Sequence, residues 1–173
     1  EAKKEAEQAA EKEKKRKEAE SALGNLTKRT DDMNGFTYFR HKNEPSGIKD
    51  GLVPYIVADD KNGKNPLLML ETTYKGSDWL FIKSYRIKAD DAVYDIDFDY
   101  NDVKRDNSAG TVWEWTVQSM QGDKIKMLKQ ISKSKKAVIR RTGTNYYDDY
   151  EITEAEKKII SDVVSAYEYL SAR

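Results

Sequence analysis

Large apolar side chains are absent from the first twenty residues of this chain, and from Phe36 onward they recur as in a packed protein. The opening run, residues 1 to about 26, is built mainly from Ala, Glu, Lys, Gln and Arg, all strong helix formers. Glu11 with Lys15 and Glu13 with Lys17 are i,i+4 pairs in the favourable orientation. Ala2, Ala6, Ala9 and Ala10 are too small for the sustained a/d seam of a coiled coil. The pattern predicts a charged, solvated helical spacer over residues 1–30 ahead of a single α+β domain over 31–173. Only the last helical turns, with Ala19, Ala22, Leu23 and Leu26, pack on the body, and Gly24 and Asn25 are placed to end the helix.

Alternation dominates the rest of the chain. Residues 36–40 read as a short strand and residues 41–51, with Asn43, Pro45, Ser46, Gly47 and Gly51, as a loop. Apolar runs at 52–59 and 66–74 flank Asn62-Gly63, a strong hairpin signal. A second hairpin is predicted from 79–88 and 93–100 around Asp90-Asp91, with Arg86 facing Asp95, Tyr85 facing Ile96 and Ile87 facing Tyr94. Tyr85, Ile87, Tyr94, Ile96 and Phe98 then share the buried face, and Ser84, Arg86, Asp95 and Asp97 the solvated one. Residues 101–110 read as a polar loop. Residues 111–117 read as a strand with Trp113, Trp115 and Val117 on one face and Glu114 and Thr116 on the other. A short helix at 123 to about 132, a strand at 137–142, and a turn at 143–149 lead to a helix at 153–170. Thr153 and Glu156 form the capping box of that last helix. The fold expected is α+β. It is a mainly antiparallel sheet, or two packed sheets, with a C-terminal covering helix and the N-terminal charged helix.

Composition narrows the function. The 31 basic and 31 acidic residues cancel, whereas a nucleic-acid binder carries a basic excess. Lys133, Lys135, Lys136, Arg140 and Arg141 cluster locally, as a solvated face or a phosphate site. No cysteine is present, so disulfides, thiol catalysis and cysteine zinc sites drop out. That absence fits an exported protein without disulfides and equally a cytosolic one. No segment has the roughly 18 apolar residues of a membrane span. The chain opens on Glu1 rather than Met, and the expectation is a processed or artificially trimmed terminus, with any targeting segment removed from view.

Candidate chemistry is sparse. His41 is the single histidine, and no Gly-x-Ser-x-Gly elbow accompanies it. Asp95, Asp97 and Asp99 alternate along one strand face, where a Ca2+ ion would relieve their repulsion and Arg86 is the alternative partner. The run 59–65 fails as a calcium loop, because alignment on Gly63 puts Ala58 and Met69 at acidic positions. Glu114, with Glu71 or one of Asp95, Asp97 and Asp99, would supply the two carboxylates of a glycan hydrolase. Tyr146, Tyr147, Asp148, Asp149 and Tyr150 form either an exposed recognition patch or a strand covering the core.

The Glu/Lys/Ala run of residues 1–20, the segment Asp78-Trp79-Leu80-Phe81-Ile82, the segment Trp113-Glu114-Trp115 and the ending Thr153-Glu154-Ala155-Glu156-Lys157-Lys158 together resemble uncharacterised lipoprotein-like domains of bacterial cell envelopes. The resemblance implies a lipidated terminus ahead of the charged spacer, mixed strands and a closing helix. It brings no known activity. The expected function is a non-enzymatic, envelope-tethered or secreted recognition domain for a protein or cell-wall ligand. It would bind through Tyr146, Tyr147, Asp148, Asp149 and Tyr150 or through the loop at 41–51. The alternative is a carboxylate-dependent hydrolase of a cell-wall or glycan substrate. Contact with a membrane would come only through the implied lipid anchor.

Overall fold

The computed structural model describes all 173 residues. Ten strands form two antiparallel sheets, flanked by three α-helices. The six-stranded sheet has the order β1 (Leu26–Thr30), β2 (Thr37–His41), β3 (Gly51–Ala58), β4 (Leu67–Gly76), β8 (Thr111–Ser119), β7 (Lys104–Ser108). The four-stranded sheet has the order β10 (Tyr147–Glu151), β9 (Ala137–Thr142), β5 (Ser84–Ala89), β6 (Ala92–Ile96). The helices are α1 (Ala2–Gly24), α2 (Asp123–Lys133) and α3 (Glu154–Ser171).

The core lies between the sheets and under α3. Leu52, Ile56, Leu68 and Leu70 of the large sheet and Tyr85, Ile87, Ile96 and Ile139 of the small one point into it. Ile159, Ile160, Val163, Val164 and Leu170 of α3 close it. Thr153 starts α3 with the capping box, which satisfies two otherwise unpaired backbone donors. The buried Lys157 ammonium reaches the carbonyls of Ser134 and Lys135, both at 3.1 Å, and ties α3 to the end of α2.

Both hairpins form as the alternation requires. In β3–β4, Gly63 takes a φ of +82° at the turn, and the Asp60 carboxylate accepts the N–H of Asn62 at 2.9 Å and of Lys64 at 3.2 Å. In β5–β6 the register is Arg86 opposite Asp95, Tyr85 opposite Ile96 and Ile87 opposite Tyr94. Over α1 only Ala22 is fully buried, and the Tyr169 hydroxyl donates to Glu20 at 3.3 Å, so the helix meets α3 through its last turns.

Several expectations change. Residues 26–30, assigned to the spacer, are strand β1 and pair with β2. His41 ends β2 instead of opening a loop. The strand expected at 79–88 begins only at Ser84, and its partner ends at Ile96. The polar run at 101–110 contains the edge strand β7. Charged residues suit an edge, because they discourage pairing with other chains, and this masked the strand. The turn at 143–149 gives way to β10 from Tyr147. In β8 the two faces divide as expected, with Glu114 and Thr116 toward the core and Trp113, Trp115 and Val117 half-buried on the outer face.

Candidate functional site

Glu114 sits on the inner face of β8, opposite Tyr74 of β4 and Arg105 of β7, and is fully buried. Its carboxylate accepts the backbone N–H of Leu80 at 2.7 Å, Phe81 at 3.0 Å and Ile82 at 3.0 Å, together with Nε of Arg105 at 3.0 Å. Three successive N–H groups turned onto one anion form a backbone nest. Here the anion is the protein's own side chain. The nest requires a left-handed residue, and Phe81 supplies it with φ of +55°. That conformation costs an L-residue roughly 1–2 kcal/mol. Hydrogen bonds to a charged group contribute about 1.5–3 kcal/mol each, so the carboxylate holds the strained turn in place.

The pinned turn displays aromatic groups. The ring of Trp79 stacks on Phe81 with centroids 6.1 Å apart, and Phe81 is 41% exposed. The Arg105 guanidinium lies over the Tyr100 ring at 4.6 Å and the Phe81 ring at 5.7 Å. Tyr100 is likewise exposed, in a single 3-10 turn (Tyr100–Asp102) whose start the Asp99 carboxylate caps by accepting the N–H of Asn101 at 2.9 Å. Nη1 of Arg105 donates to the Val103 carbonyl at 3.3 Å, and Nη2 is a buried donor with no protein partner. The turn before β10 docks against the same segment. Thr144 N donates to the Leu80 carbonyl at 3.1 Å, and Gly143 approaches so closely that a Cβ there would lie 1.9 Å from that oxygen.

Tyr146 and Tyr147 are exposed, but the segment they begin is divided by the pleat of β10. Asp148 and Tyr150 turn inward to Arg141, whose side chain is buried. Arg141 also pairs with Asp50 and donates to the Thr73 carbonyl at 2.9 Å, with Tyr74 across its face at 5.1 Å. The two segments expected as alternative binding surfaces, 41–51 and 146–150, therefore meet at one buried arginine. Tyr150 donates to Glu156 at 3.0 Å. Burial, and then the Glu156 charge, push its phenol well above the usual value. Tyr147 and Asp149 face outward, with Arg140 over the Tyr147 ring at 4.0 Å and paired with Asp149 at 2.7 Å.

The other candidates separate. Asp95 pairs with Arg86 at 2.7 Å, and hydrogen bonding to Arg86 holds its carboxyl below the usual range. Asp97 and Asp99 lie beyond the end of β6, and the three do not gather as a group of metal ligands. Glu71 shares its row with Val53 and Val117 on the outer face, so the sheet lies between it and Glu114. His41 is buried. Its Nδ1 accepts the N–H of Asn43 at 3.0 Å, which places the ring proton on Nε2, 2.8 Å from Asp162. Of the basic cluster, Arg141 is interior, whereas the backbone N–H groups of Lys135 and Lys136 bind Asp90.

Arg105, Tyr100 and the central role of Arg141 leave no mark in the sequence pattern. Arg105 sits in a run of polar residues with no apolar alternation around it, and Arg141 reads as one more member of a basic cluster. The one available signal was Glu114, a charge in a strand of otherwise sheet-forming residues, which demands a buried partner. Comparison with family models, with curated proteins and with solved structures finds no match to this chain.

Proposed function

We propose that this chain is a non-enzymatic recognition domain of the cell envelope, tethered or secreted, and that it takes a protein or cell-wall ligand on the surface formed by Trp79, Phe81, Tyr100 and Arg105. The observation that carries this reading is the left-handed Phe81, held by a buried carboxylate so that its ring stands exposed beside Trp79. Tryptophan, tyrosine and arginine dominate binding hot spots, and a surface fixed before the ligand arrives avoids the cost of ordering it.

The state of the buried carboxylates supports the non-enzymatic part. Glu114 is saturated by three N–H groups and Arg105. Glu156 accepts from Leu52 N, Tyr150 and Thr153 N, and Asp162 accepts from His41, Lys158 and Asn25. Each is engaged in holding elements together. The envelope setting rests on the resemblance of the charged leading helix and the later segments to lipoprotein-like domains. α1, solvated over about 30 Å at 1.5 Å per residue, suits a spacer.

Titration of the isotope-labelled protein with soluble peptidoglycan fragments tests the reading. Saturable shifts centred on the Trp79 indole, Phe81 and Tyr100, without release of new reducing ends or free amines, support it. Shifts centred elsewhere, or release of cleavage products, contradict it.

A further inference from the structure

The solvent face of the four-stranded sheet carries a row of charge, Asp95–Arg86–Arg140–Asp149, with one residue from each strand in direct register. Asp95 takes Nε and Nη2 of Arg86 at 2.7 and 3.1 Å, and Asp149 takes the same two atoms of Arg140 at 2.7 and 2.8 Å. Nη1 of both guanidinium groups is left without a protein partner, and two like charges stand directly opposite each other. Such a pairing is unfavourable in an antiparallel sheet, and Asp95 and Asp149, one on each arginine, offset it. The neighbouring row is Val93–Lys88–Val138–Glu151, and neither the Lys88 ammonium nor the Glu151 carboxylate makes an ion pair within the row. A hollow of about 380 Å³ spans the two rows, lined by Arg86, Lys88, Val93, Val138, Arg140 and Asp149. Its lining holds three cations and Asp149, with Asp95 and Glu151 at the outer ends of the two rows. The Tyr147 ring, 4.0 Å from the Arg140 guanidinium, backs one of the three.

We propose that this hollow binds a phosphate group, held by the free Nη1 atoms of Arg86 and Arg140 and by Nζ of Lys88. Three cationic donors around one hollow suit a tetrahedral oxyanion, which offers an oxygen to each, better than a carboxylate with two. Arginine forks and lysine point charges are the usual phosphate partners. The site is separate from the aromatic surface and stands or falls independently of it.

The test monitors Arg Nε–H and valine methyl signals while inorganic phosphate is added at pH 7, with sodium chloride holding ionic strength constant. The expected result is saturable shifts at Arg86, Arg140, Val93 and Val138, with affinity weakened about tenfold or more in Arg86→Gln and in Lys88→Gln, where tenfold corresponds to about 1.4 kcal/mol. Both side chains are exposed, so the variants fold. Saturation by dimethyl phosphate as well supports an esterified phosphate as the ligand, and saturation by inorganic phosphate alone supports a free or terminal one. The proposal is overturned by linear shifts, by shifts that chloride reproduces, by unchanged binding in both variants, or by acetate binding as tightly as phosphate.

Discussion

The carboxylate of Glu114 accepts the backbone N–H of Phe81 and thereby holds an exposed aromatic residue in the left-handed region of backbone space. Two segments more than thirty residues apart in sequence, around Trp79 and around Trp113, become one unit through this contact. Glu114→Ala leaves three N–H groups and the Arg105 guanidinium without their acceptor. Breaking a buried pair costs about 3–5 kcal/mol. Because Arg105 keeps some access to solvent, a loss near the lower end, about 3 kcal/mol, is expected in urea unfolding. A loss below about 1 kcal/mol contradicts the structural role.

Gly143 supports the same turn from the other side. A methyl group there meets the backbone oxygen of Leu80, which cannot swing away as a side chain would. Gly143→Ala is expected to destabilise by about 3 kcal/mol, at the upper end of overpacking effects, and to disorder Leu80, Phe81 and Ile82. Loss of hydrogen-exchange protection at those three amides, beyond the global loss, checks it.

Much of this fold is legible in the sequence because one face of each central strand is buried. Burial makes period-two alternation strict, and the β5–β6 register of Tyr85, Arg86 and Ile87 results from it. The capping box at Thr153 is legible for a local reason, since both partners lie within one turn. The candidate site is not legible in this way. β7 is polar at an edge, Leu80 and Ile82 are buried in a segment that pairs with no strand, and Glu114 is a charge at a core position. Each breaks the local rule because a partner distant in sequence compensates it.

Arg141 predicts a third effect. It is shared by Asp50, Asp148 and the Thr73 carbonyl, and so ties the loop before β3 and strand β10 to the middle of the fold. Arg141→Met is expected to destabilise by about 3 kcal/mol, because Asp50 and Asp148 lose their shared charge partner and the Thr73 carbonyl loses the guanidinium hydrogen bond. Asp50 and Asp148 are about a third exposed and regain water, which keeps the loss from growing larger. Arg141→Lys recovers less than half, since a single ammonium cannot reproduce the planar fork.

Stability changes at both ends of the pH range. Burial raises the pKa of Asp162, but the hydrogen bonds from Lys158, His41 and Asn25 outweigh it and hold the carboxyl below its ordinary value. Its contribution is present above the unfolded value of about 3.9 and is lost as pH falls through the lower folded value. Burial pushes the Tyr85 phenol up to about 12, against a smaller opposing effect of the Thr116 hydrogen bond. Its contribution is complete below the unfolded value of about 10 and disappears as pH rises through the folded one. Urea midpoints measured against pH are expected to flatten on the acid side in Asp162→Asn and on the alkaline side in Tyr85→Phe. Unchanged slopes contradict the assignment.

Phe81→Gly separates the binding role of the exposed ring from its place in the fold. Glycine removes the left-handed strain of about 1–2 kcal/mol, adds a chain-entropy cost of about 0.5–1 kcal/mol and gives up the packing of a ring that is 41% exposed, about 1–2 kcal/mol, so the fold is expected to stay within about 2 kcal/mol of the parent. The exposed ring beside Trp79 is gone. The measurement is binding of soluble peptidoglycan fragments and of envelope protein extract to the immobilised parent and variant, alongside their unfolding midpoints. Intact stability with binding reduced at least tenfold is expected. Intact stability with unchanged binding would show that the Glu114-held aromatic turn is structural alone.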